Sequence, residues 1–117
     1  SLEIEVHDFI PENIAELNLE QMLYDAIAAK KHKEAVRLHY LIILKELNDK
    51  KYILLKKNSI SRDFLQQMSK RKEYFAFQKA TVLFERVWYG DADLNEDSFP
   101  LVENVFKDFI ELIRVKK

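Results

Sequence analysis

Apolar residues recur along this chain at the three- and four-residue spacing of helices, most densely between residues 72 and 90. In that stretch the polar side chains form a narrow row with a seven-residue repeat: Arg71/Lys72, Gln78/Lys79 and Glu85/Arg86. Most other positions are apolar, including Tyr74, Phe75, Phe77, Val82, Phe84, Val87, Trp88 and Tyr89. A helix that is apolar around most of its circumference lies inside a bundle, so the pattern predicts a central helix that ends at Gly90.

Two helices are predicted in the first half of the chain. Helix 1 spans about 19–30, with Asn18 as N-cap and Gln21 completing a capping box. Helix 2 spans about 33–49 and carries too many apolar residues for a single stripe, which makes it the second central element. The short apolar run 52–55 fits either an extended segment or the end of helix 2.

Two more helices flank the central stretch. Helix 3 begins after a cap at Ser59 or Ser61 and stops near the basic residues 70–72. Helix 5 follows an acidic loop and must hold Pro100 in its first turn, which places its cap at Asp97 or a close neighbour.

Composition agrees with this all-α interpretation. The chain has 117 residues, one glycine and two prolines, too few turn formers for a many-stranded sheet. We predict a single five-helix, bundle-like domain over residues 18–117. The absence of cysteine excludes disulfides, thiolate zinc sites and cysteine nucleophiles.

Residues 1–17 are predicted to form an extended acidic arm. Leu2, Ile4 and Val6 alternate with polar residues, and Pro11 biases the residue before it toward an extended conformation. Its later apolar side chains are expected to lie across the bundle; they are Phe9, Ile10, Ile14 and Leu17.

The charge balance narrows the classes of partner. There are 19 basic and 20 acidic side chains, whereas nucleic-acid-binding domains usually carry a positive excess on one face. The longest apolar run, residues 40–44, is far too short to cross a bilayer. Because the chain begins at Ser1 without a methionine, we expect it to be a trimmed or excised part of a longer protein.

One loop resembles the start of a calcium-binding loop. Asp91, Asp93, Asn95 and Asp97 place oxygen ligands at alternate positions between two helices. The pattern then breaks, because Glu96 replaces the required glycine and Val102 replaces the closing glutamate. An acidic loop that complements the positive end of helix 5 explains these residues better.

No other motif predicts catalysis, a metal or a cofactor. His32 and His39 would lie about 10.5 Å apart along one helix, too far to share an ion, and His7 is remote in sequence. The serines and Thr81 occupy no nucleophile elbow, and a single glycine cannot build a phosphate-binding loop. The lysine clusters at 30–33, 50–57 and 70–72 coincide with predicted helix ends, where they oppose the helix dipole.

One cluster joins the two central helices. Arg37 and Tyr40 of helix 2 are expected to meet the end of helix 4, which carries Glu85, Trp88, Tyr89 and Gly90. A buried arginine needs a carboxylate, so we predict an Arg37–Glu85 pair that fixes the helix crossing. The same aromatic and arginine side chains could instead form a docking surface.

The residues of this cluster carry a family resemblance. Segments 33–40, 44–47, 62–65 and 84–90 resemble, in order, the domain-of-unknown-function family 4129, and the likeness covers about residues 14–112. Its most specific parts are Ala-x-Arg-Leu-x-Tyr and Trp-Tyr-Gly. The chain departs from the family pattern at Ile60, where a capping threonine is usual. Helices 1 and 2 also resemble one tetratricopeptide-type hairpin, through Ala26, Ala29, Ala35 and Tyr40.

That resemblance implies a small helical module that follows a transmembrane helix and faces the cytoplasm. The family occurs in bacterial membrane proteins, some of which are transglutaminase-like. The acidic arm would be the tether to a membrane helix missing from this chain. The function expected is a non-catalytic interaction module, with a protein partner that includes other parts of its own chain. Two alternatives remain: an accessory domain that completes an enzyme site elsewhere, or a binder of anionic lipid or nucleic acid, which would show as lysine clusters converging on one face.

Overall fold

A computed structural model describes residues 13–56, 59–90 and 94–115. Its five α-helices confirm the predicted all-α architecture: α1 Leu19–Ala28, α2 His32–Asp49, α3 Ser61–Met68, α4 Tyr74–Tyr89 and α5 Phe99–Arg114. A short 3-10 helix, Ile14–Glu16, precedes them. None of the helices in the described part of the chain is both long enough and apolar enough to span a bilayer.

The central element is α2, which packs against α1, α4 and α5. Its N-terminal His32 stacks on Phe99 at the start of α5, and Arg114 at the end of α5 bonds to Glu46, so α2 and α5 run parallel. Side chains all around α2 are buried, as its dense apolar pattern predicts: Ala35, Val36, Leu38, His39, Tyr40, Leu41, Ile43, Leu44 and Leu47.

The prediction that α4 is enclosed on all sides is wrong. α4 packs against α2, α3 and α5, and it buries only the side that faces them: Phe77, Ala80, Thr81, Phe84, Glu85 and Val87. On the opposite side Phe75 is 77% exposed and Tyr89 is 41% exposed. Sequence periodicity reports how apolar a helix is, but whether the same domain covers each side depends on the neighbouring helices.

Two lysines end helices by adopting the left-handed conformation. Lys30 after α1 has φ 60° and Lys51 after α2 has φ 64°. In each case the backbone amides of the lysine and of the residue after it form the two hydrogen bonds of a Schellman motif. After α2, the Lys51 amide donates to the Asn48 carbonyl and the Tyr52 amide donates to the Leu47 carbonyl. These basic clusters therefore lie at helix ends, as predicted, and Lys51 occupies the position where glycine is usual.

The start of α3 differs from the prediction, whereas the start of α5 agrees with it. The N-cap of α3 is Ile60, not a serine; Asp63 accepts a hydrogen bond from the Ile60 amide, and Ser59 instead closes the preceding turn onto Lys56. The N-cap of α5 is Ser98, a neighbour of Asp97, and Pro100 lies in the first turn as predicted. Residues 52–55 form neither a helix nor a strand.

Part of the predicted arm lies outside the described residues, including Phe9 and Ile10. Within the described part, Ile14 and Leu17 pack on the core as expected, but residues 14–16 form a 3-10 helix rather than an extended segment. The hairpin of α1 and α2 is present, with Ala26 and Ala35 buried.

A histidine–glutamate contact joins α2 to α5. His39 Nε2 lies 2.8 Å from Glu103 Oε2, both side chains are mostly buried, and Lys107 Nζ lies 3.3 Å from Glu103 Oε1. The His39 ring also stacks on Phe106 at a centroid distance of 5.8 Å. Burial lowers the pKa of His39, an effect that Glu103 opposes and Lys107 reinforces. The neutral imidazole is thus the form that the folded protein favours.

Burial of the His39 ring predicts that the free energy of unfolding falls in mild acid. Unfolded His39 takes up its proton near its ordinary pKa of 6.5, whereas folded His39 does so only at lower pH. The contribution of His39 to the free energy of unfolding is complete above the unfolded pKa of 6.5 and is lost as the pH falls below it. Thermal melts at about pH 7.5 and about pH 5.5 should show a larger loss for the wild type than for His39→Gln, which keeps a donor toward Glu103 but cannot titrate. Equal losses in the two proteins would contradict the assignment.

The left-handed conformation of Lys51 predicts a stabilising glycine. Lys51→Gly relieves a backbone cost and should raise the free energy of unfolding by about 1 kcal/mol. The matched control is Lys50→Gly, because Lys50 is right-handed and gains nothing from the change. Urea unfolding of both variants checks this, and a loss of stability in Lys51→Gly would show that its side chain contributes more than the strain costs.

Candidate functional site

Four members of the predicted cluster, Arg37, Tyr40, Glu85 and Trp88, lie near the contact between α2 and α4, whereas Tyr89 lies on the outer side of α4 and Gly90 ends the helix. The structure divides it into two parts. One is a buried polar layer that contains Tyr40 and Glu85. The other is a cation–aromatic edge around Trp88, nearer the C-terminal end of α4.

Tyr40 anchors the buried polar layer. Its hydroxyl lies 2.8 Å from Thr81 Oγ1, and neither residue is exposed. The ring stacks on Phe84 at a centroid distance of 4.5 Å. Burial raises the pKa of Tyr40 strongly, with a smaller increase from nearby Glu85, so the phenol stays protonated. Thr81 was missed as a member of this layer, although it is the one hydroxyl on the inner side of α4.

Glu85 is a buried carboxyl without a basic partner among the described residues. It is 4% exposed, and its Oε2 accepts no hydrogen bond there. Burial raises the pKa of Glu85, and the nearby Ser61 hydroxyl partly offsets this increase. Neither Ser61 Oγ nor Glu85 Oε2 completes a hydrogen bond of good geometry.

The structure assigns Arg37 to a different carboxylate from the predicted one. Arg37 Nη1 lies 2.8 Å from Glu34 Oε2, one turn earlier on the same helix. Arg37 and Glu85 form no ion pair, so the predicted salt bridge is wrong. The i, i+3 spacing to Glu34 was visible in the sequence and is the commoner way for a helix to satisfy an arginine at its edge.

Trp88 is half-buried beneath two cations of α2. Lys33 Nζ lies 5.0 Å from its ring centroid, and Arg37 Cζ lies 5.9 Å away. Phe84 stacks against the same indole at 6.2 Å. These contacts hold the Trp88 ring within the domain, and its predicted docking role stays a prediction.

Gly90 ends α4 through a close backbone approach. Its amide donates to the Arg86 carbonyl, and its backbone is extended, with φ −93° and ψ 177°. A Cβ at this position would lie 2.4 Å from the Arg86 oxygen. The predicted glycine stop is confirmed, and the reason is space rather than a left-handed conformation.

The outer side of α4 carries two neighbouring rows of side chains at seven-residue spacing. The basic row comprises Lys79 and Arg86 on α4 and Lys72 in the turn just before it; the aromatic row comprises Phe75 and Tyr89, with the aliphatic Val82 midway between them. Positions seven apart drift by only about 20° around a helix, so the members of each row that belong to α4 are nearly in line. The basic row is exposed and makes no ion pair with any described residue. The basic row follows the predicted polar stripe, whereas the aromatic row was assigned to the core.

The lysine clusters converge only in part. Arg71 Cζ lies 3.3 Å from the Tyr52 ring centroid, which brings residues 50–52 and 70–72 to one end of the bundle. Residues 30–33 lie at the other end of α2, roughly 27 Å away along an 18-residue helix. There Lys30 contacts Glu96 at 2.6 Å.

Two clefts lie on the described surface. One cleft of about 510 Å³ is lined by Leu54, Lys56, Ser59, Asp63, Gln66 and Gln67. Another of about 330 Å³ lies around Tyr52 and Arg71. Neither is lined by His39, Tyr40 or Glu85, whose pKa values are the shifted ones in the interior.

The predicted calcium loop is only partly within the described residues. Asp91 and Asp93 of the candidate calcium loop lie outside the described residues. The Asn95 side-chain oxygen accepts hydrogen bonds from the amides of Asp97 and Ser98, and so it closes the turn that directly precedes α5. Across residues 13–56, 59–90 and 94–115, no group of three or more histidine, aspartate and glutamate side chains is placed to hold an ion.

The lone carboxyl of Glu85 predicts a stabilising neutral substitution. Near pH 7, Glu85→Gln should raise the free energy of unfolding by about 1 kcal/mol, because the buried charge disappears while the shape remains. The folded pKa is raised above the ordinary 4.5, so Glu85 favours folding below that value and loses this contribution as the pH rises. The gain should therefore vanish near the ordinary pKa.

Denaturant melts across that pH range check this, with exposed Glu111→Gln as the control. A destabilised Glu85→Gln at neutral pH would indicate that the carboxylate has a charged partner.

No family model matches the chain, and comparisons with curated proteins and with solved structures return no match. The resemblance to the domain-of-unknown-function family 4129 thus stays a prediction from sequence motifs.

Proposed function

We propose that this domain is a non-catalytic protein-interaction module that binds an acidic amphipathic helix on the outer side of α4. The observation that carries the proposal is Phe75, which is 77% exposed beside the unpaired basic row. A large exposed aromatic beside cations that have no ion-pair partner within the described residues offers a partner both apolar area and positive charge.

The apolar part of this surface suits a hydrophobic contact. Phe75 and Tyr89 lie two heptads apart, about 21 Å along α4, with half-buried Val82 midway between them. Phenylalanine and tyrosine contribute much of the energy at protein interfaces because they bury large areas with few rotatable bonds. Tyr74 packs edge-on against Phe75 at 5.3 Å and supports its ring.

The repeat and the charge select the kind of partner. A partner helix packs along α4 at a shallow angle when its own apolar residues repeat every seven positions. Lys72, Lys79 and Arg86 then lie along one edge of the contact, where glutamate or aspartate on the partner would complement them. An acidic amphipathic helix meets both requirements at once.

The family resemblance supports a setting for this module. In that setting the domain lies on the cytoplasmic side of a bacterial inner membrane, tethered through residues 1–17, and the partner helix belongs to the same membrane protein or to a protein bound to it. This part of the proposal rests on the resemblance, whereas the docking surface rests on α4.

A peptide titration tests the docking surface. The probe is a three-heptad helical peptide with leucine at the core positions and glutamate at the flanking positions, followed by amide chemical shifts of the labelled domain. Shifts should centre on Phe75, Lys79, Val82 and Arg86. Phe75→Ser should weaken binding at least about tenfold, a loss of roughly 1.4 kcal/mol, without lowering the melting temperature.

The matched control is Leu101→Ser, which removes an apolar side chain of similar exposure from α5, 71% against 77%. A lysine-flanked peptide is the charge control and should not bind. Equal affinity in Phe75→Ser and wild type, or shifts centred on another helix, would overturn the proposal. Tighter binding to anionic vesicles or to an oligonucleotide than to the acidic peptide would do so as well, and would favour the alternative class.

A further inference from the structure

A second surface lies at the end of the bundle, where the residues after α2, the turn before α4 and the end of α5 meet. It is a cleft of about 330 Å³, lined by Tyr52, Arg71, Lys72, Glu73, Leu112, Ile113 and Val115. This volume is at the small end of the range for sites that hold small molecules. The cleft is separate from the aromatic row on α4 and shares only Lys72 with the basic row.

The cleft contains an arginine that is held in place before any ligand arrives. The guanidinium of Arg71 lies flat against Tyr52, with Cζ 3.3 Å from the ring centroid. Its Nε donates to Glu73 Oε1 at 3.1 Å, and the Glu73 side chain is only 6% exposed. Stacking and the buried carboxylate together restrict the rotamers of Arg71, which lowers the entropy cost of binding.

The restraint leaves the outer edge of the guanidinium available. The contacts of the Arg71 side chain use its Nε and its flat face, and its two terminal nitrogens donate to no residue of the described part of the chain. Those nitrogens form the planar fork that binds a carboxylate or a phosphate with two parallel hydrogen bonds.

Charge around the cleft favours an anion. Glu73 neutralises one positive charge, but Lys50, Lys51, Lys70 and Lys72 surround the stacked pair in sequence and make no ion pair with the described residues. Exposed charges interact over about 10 Å at moderate ionic strength, so those lysines that come this close to Arg71 add to its attraction for an anion.

The remaining wall is apolar and partly open to water. Leu112 is 44% exposed, Val115 is 68% exposed, and Ile113 lies behind them at the edge of the core. A ligand that places only an inorganic anion on Arg71 would leave this wall wet. An apolar chain attached to the anion would cover it.

We propose that this cleft binds a carboxylate or phosphate group carried on a short apolar chain, with the Arg71 fork on the anion and Leu112 and Val115 against the chain. Such a head group could belong to a free amphiphile or to a lipid. The proposal is independent of the docking of an acidic helix on α4.

Titration with octanoate and with octyl phosphate, each followed by amide and arginine Nε chemical shifts, tests the site. Acetate and inorganic phosphate are the comparison probes without an apolar chain. Both octyl compounds should shift Tyr52, Arg71 and Leu112 and bind at least about tenfold more tightly than their short counterparts. Anionic vesicles that shift the same residues while octanoate does not would overturn binding of the free amphiphile in favour of a membrane surface.

Three variants assign the contacts. Arg71→Gln should weaken binding of both octyl compounds at least about tenfold, whereas Lys31→Gln, an exposed lysine at the other end of α2, should leave it unchanged. Because Arg71→Gln leaves buried Glu73 without its partner and could unfold the protein, Leu112→Ser is the second test. It keeps the Arg71–Glu73 pair and should abolish the preference for octanoate over acetate.

Equal binding of acetate and octanoate by the wild type, or unchanged binding in Leu112→Ser, would overturn the proposal. So would shifts that spread evenly over all exposed lysines and disappear with added salt.

Discussion

The enclosure of α2 is the constraint on which the rest of the structure depends. This helix is buried around most of its circumference, and it also carries two polar side chains into the interior, His39 and Tyr40. A buried polar group costs free energy unless it finds a partner, and each of these finds one on a different helix. Glu103 of α5 meets His39, and Thr81 of α4 meets Tyr40. Hydrophobic burial brings the helices together without direction, whereas these two contacts fix how α4 and α5 sit on α2.

Sequence periodicity predicted the helices well and their environment less well. Local patterns predict all five helices, the central position of α2 and the stop at Gly90, because spacing and turn chemistry act over a few residues. The coverage of α4 does not, since it depends on which helices pack where. Phe75 is of a residue type that is usually buried, yet it is exposed. Glu85 is of a type that is usually exposed, yet it is only 4% exposed.

The candidate cluster shows the same division. Its membership was predictable, because Arg37, Tyr40, Glu85 and Trp88 all lie where two apolar helices must cross. Its pairings were not, because distance alone does not choose between Glu34 and Glu85 as the partner of Arg37. The intrahelical partner costs less desolvation, and solvent at the edge of α2 stays within reach of both side chains. The arginine that stacks on Tyr52 could not be found from sequence at all, since 19 residues separate two side chains that meet only through the tertiary fold.

The two rows on α4 also show why net charge is a poor guide to partners here. A net charge of −1 is a sum over the chain, and it conceals two exposed cations aligned on the outer side of α4, Lys79 and Arg86, with a third, Lys72, just before that helix. Such a row attracts any polyanion, so the cations by themselves raise the association rate and orient the partner but select poorly among partners. Selectivity comes from the aromatic row. Its contribution comes from apolar area, which salt does not screen, while attraction to the basic row weakens over a Debye length of about 8 Å at physiological ionic strength. A partner that buries Phe75 therefore keeps its affinity in salt, and a partner held only by Lys72, Lys79 and Arg86 loses it.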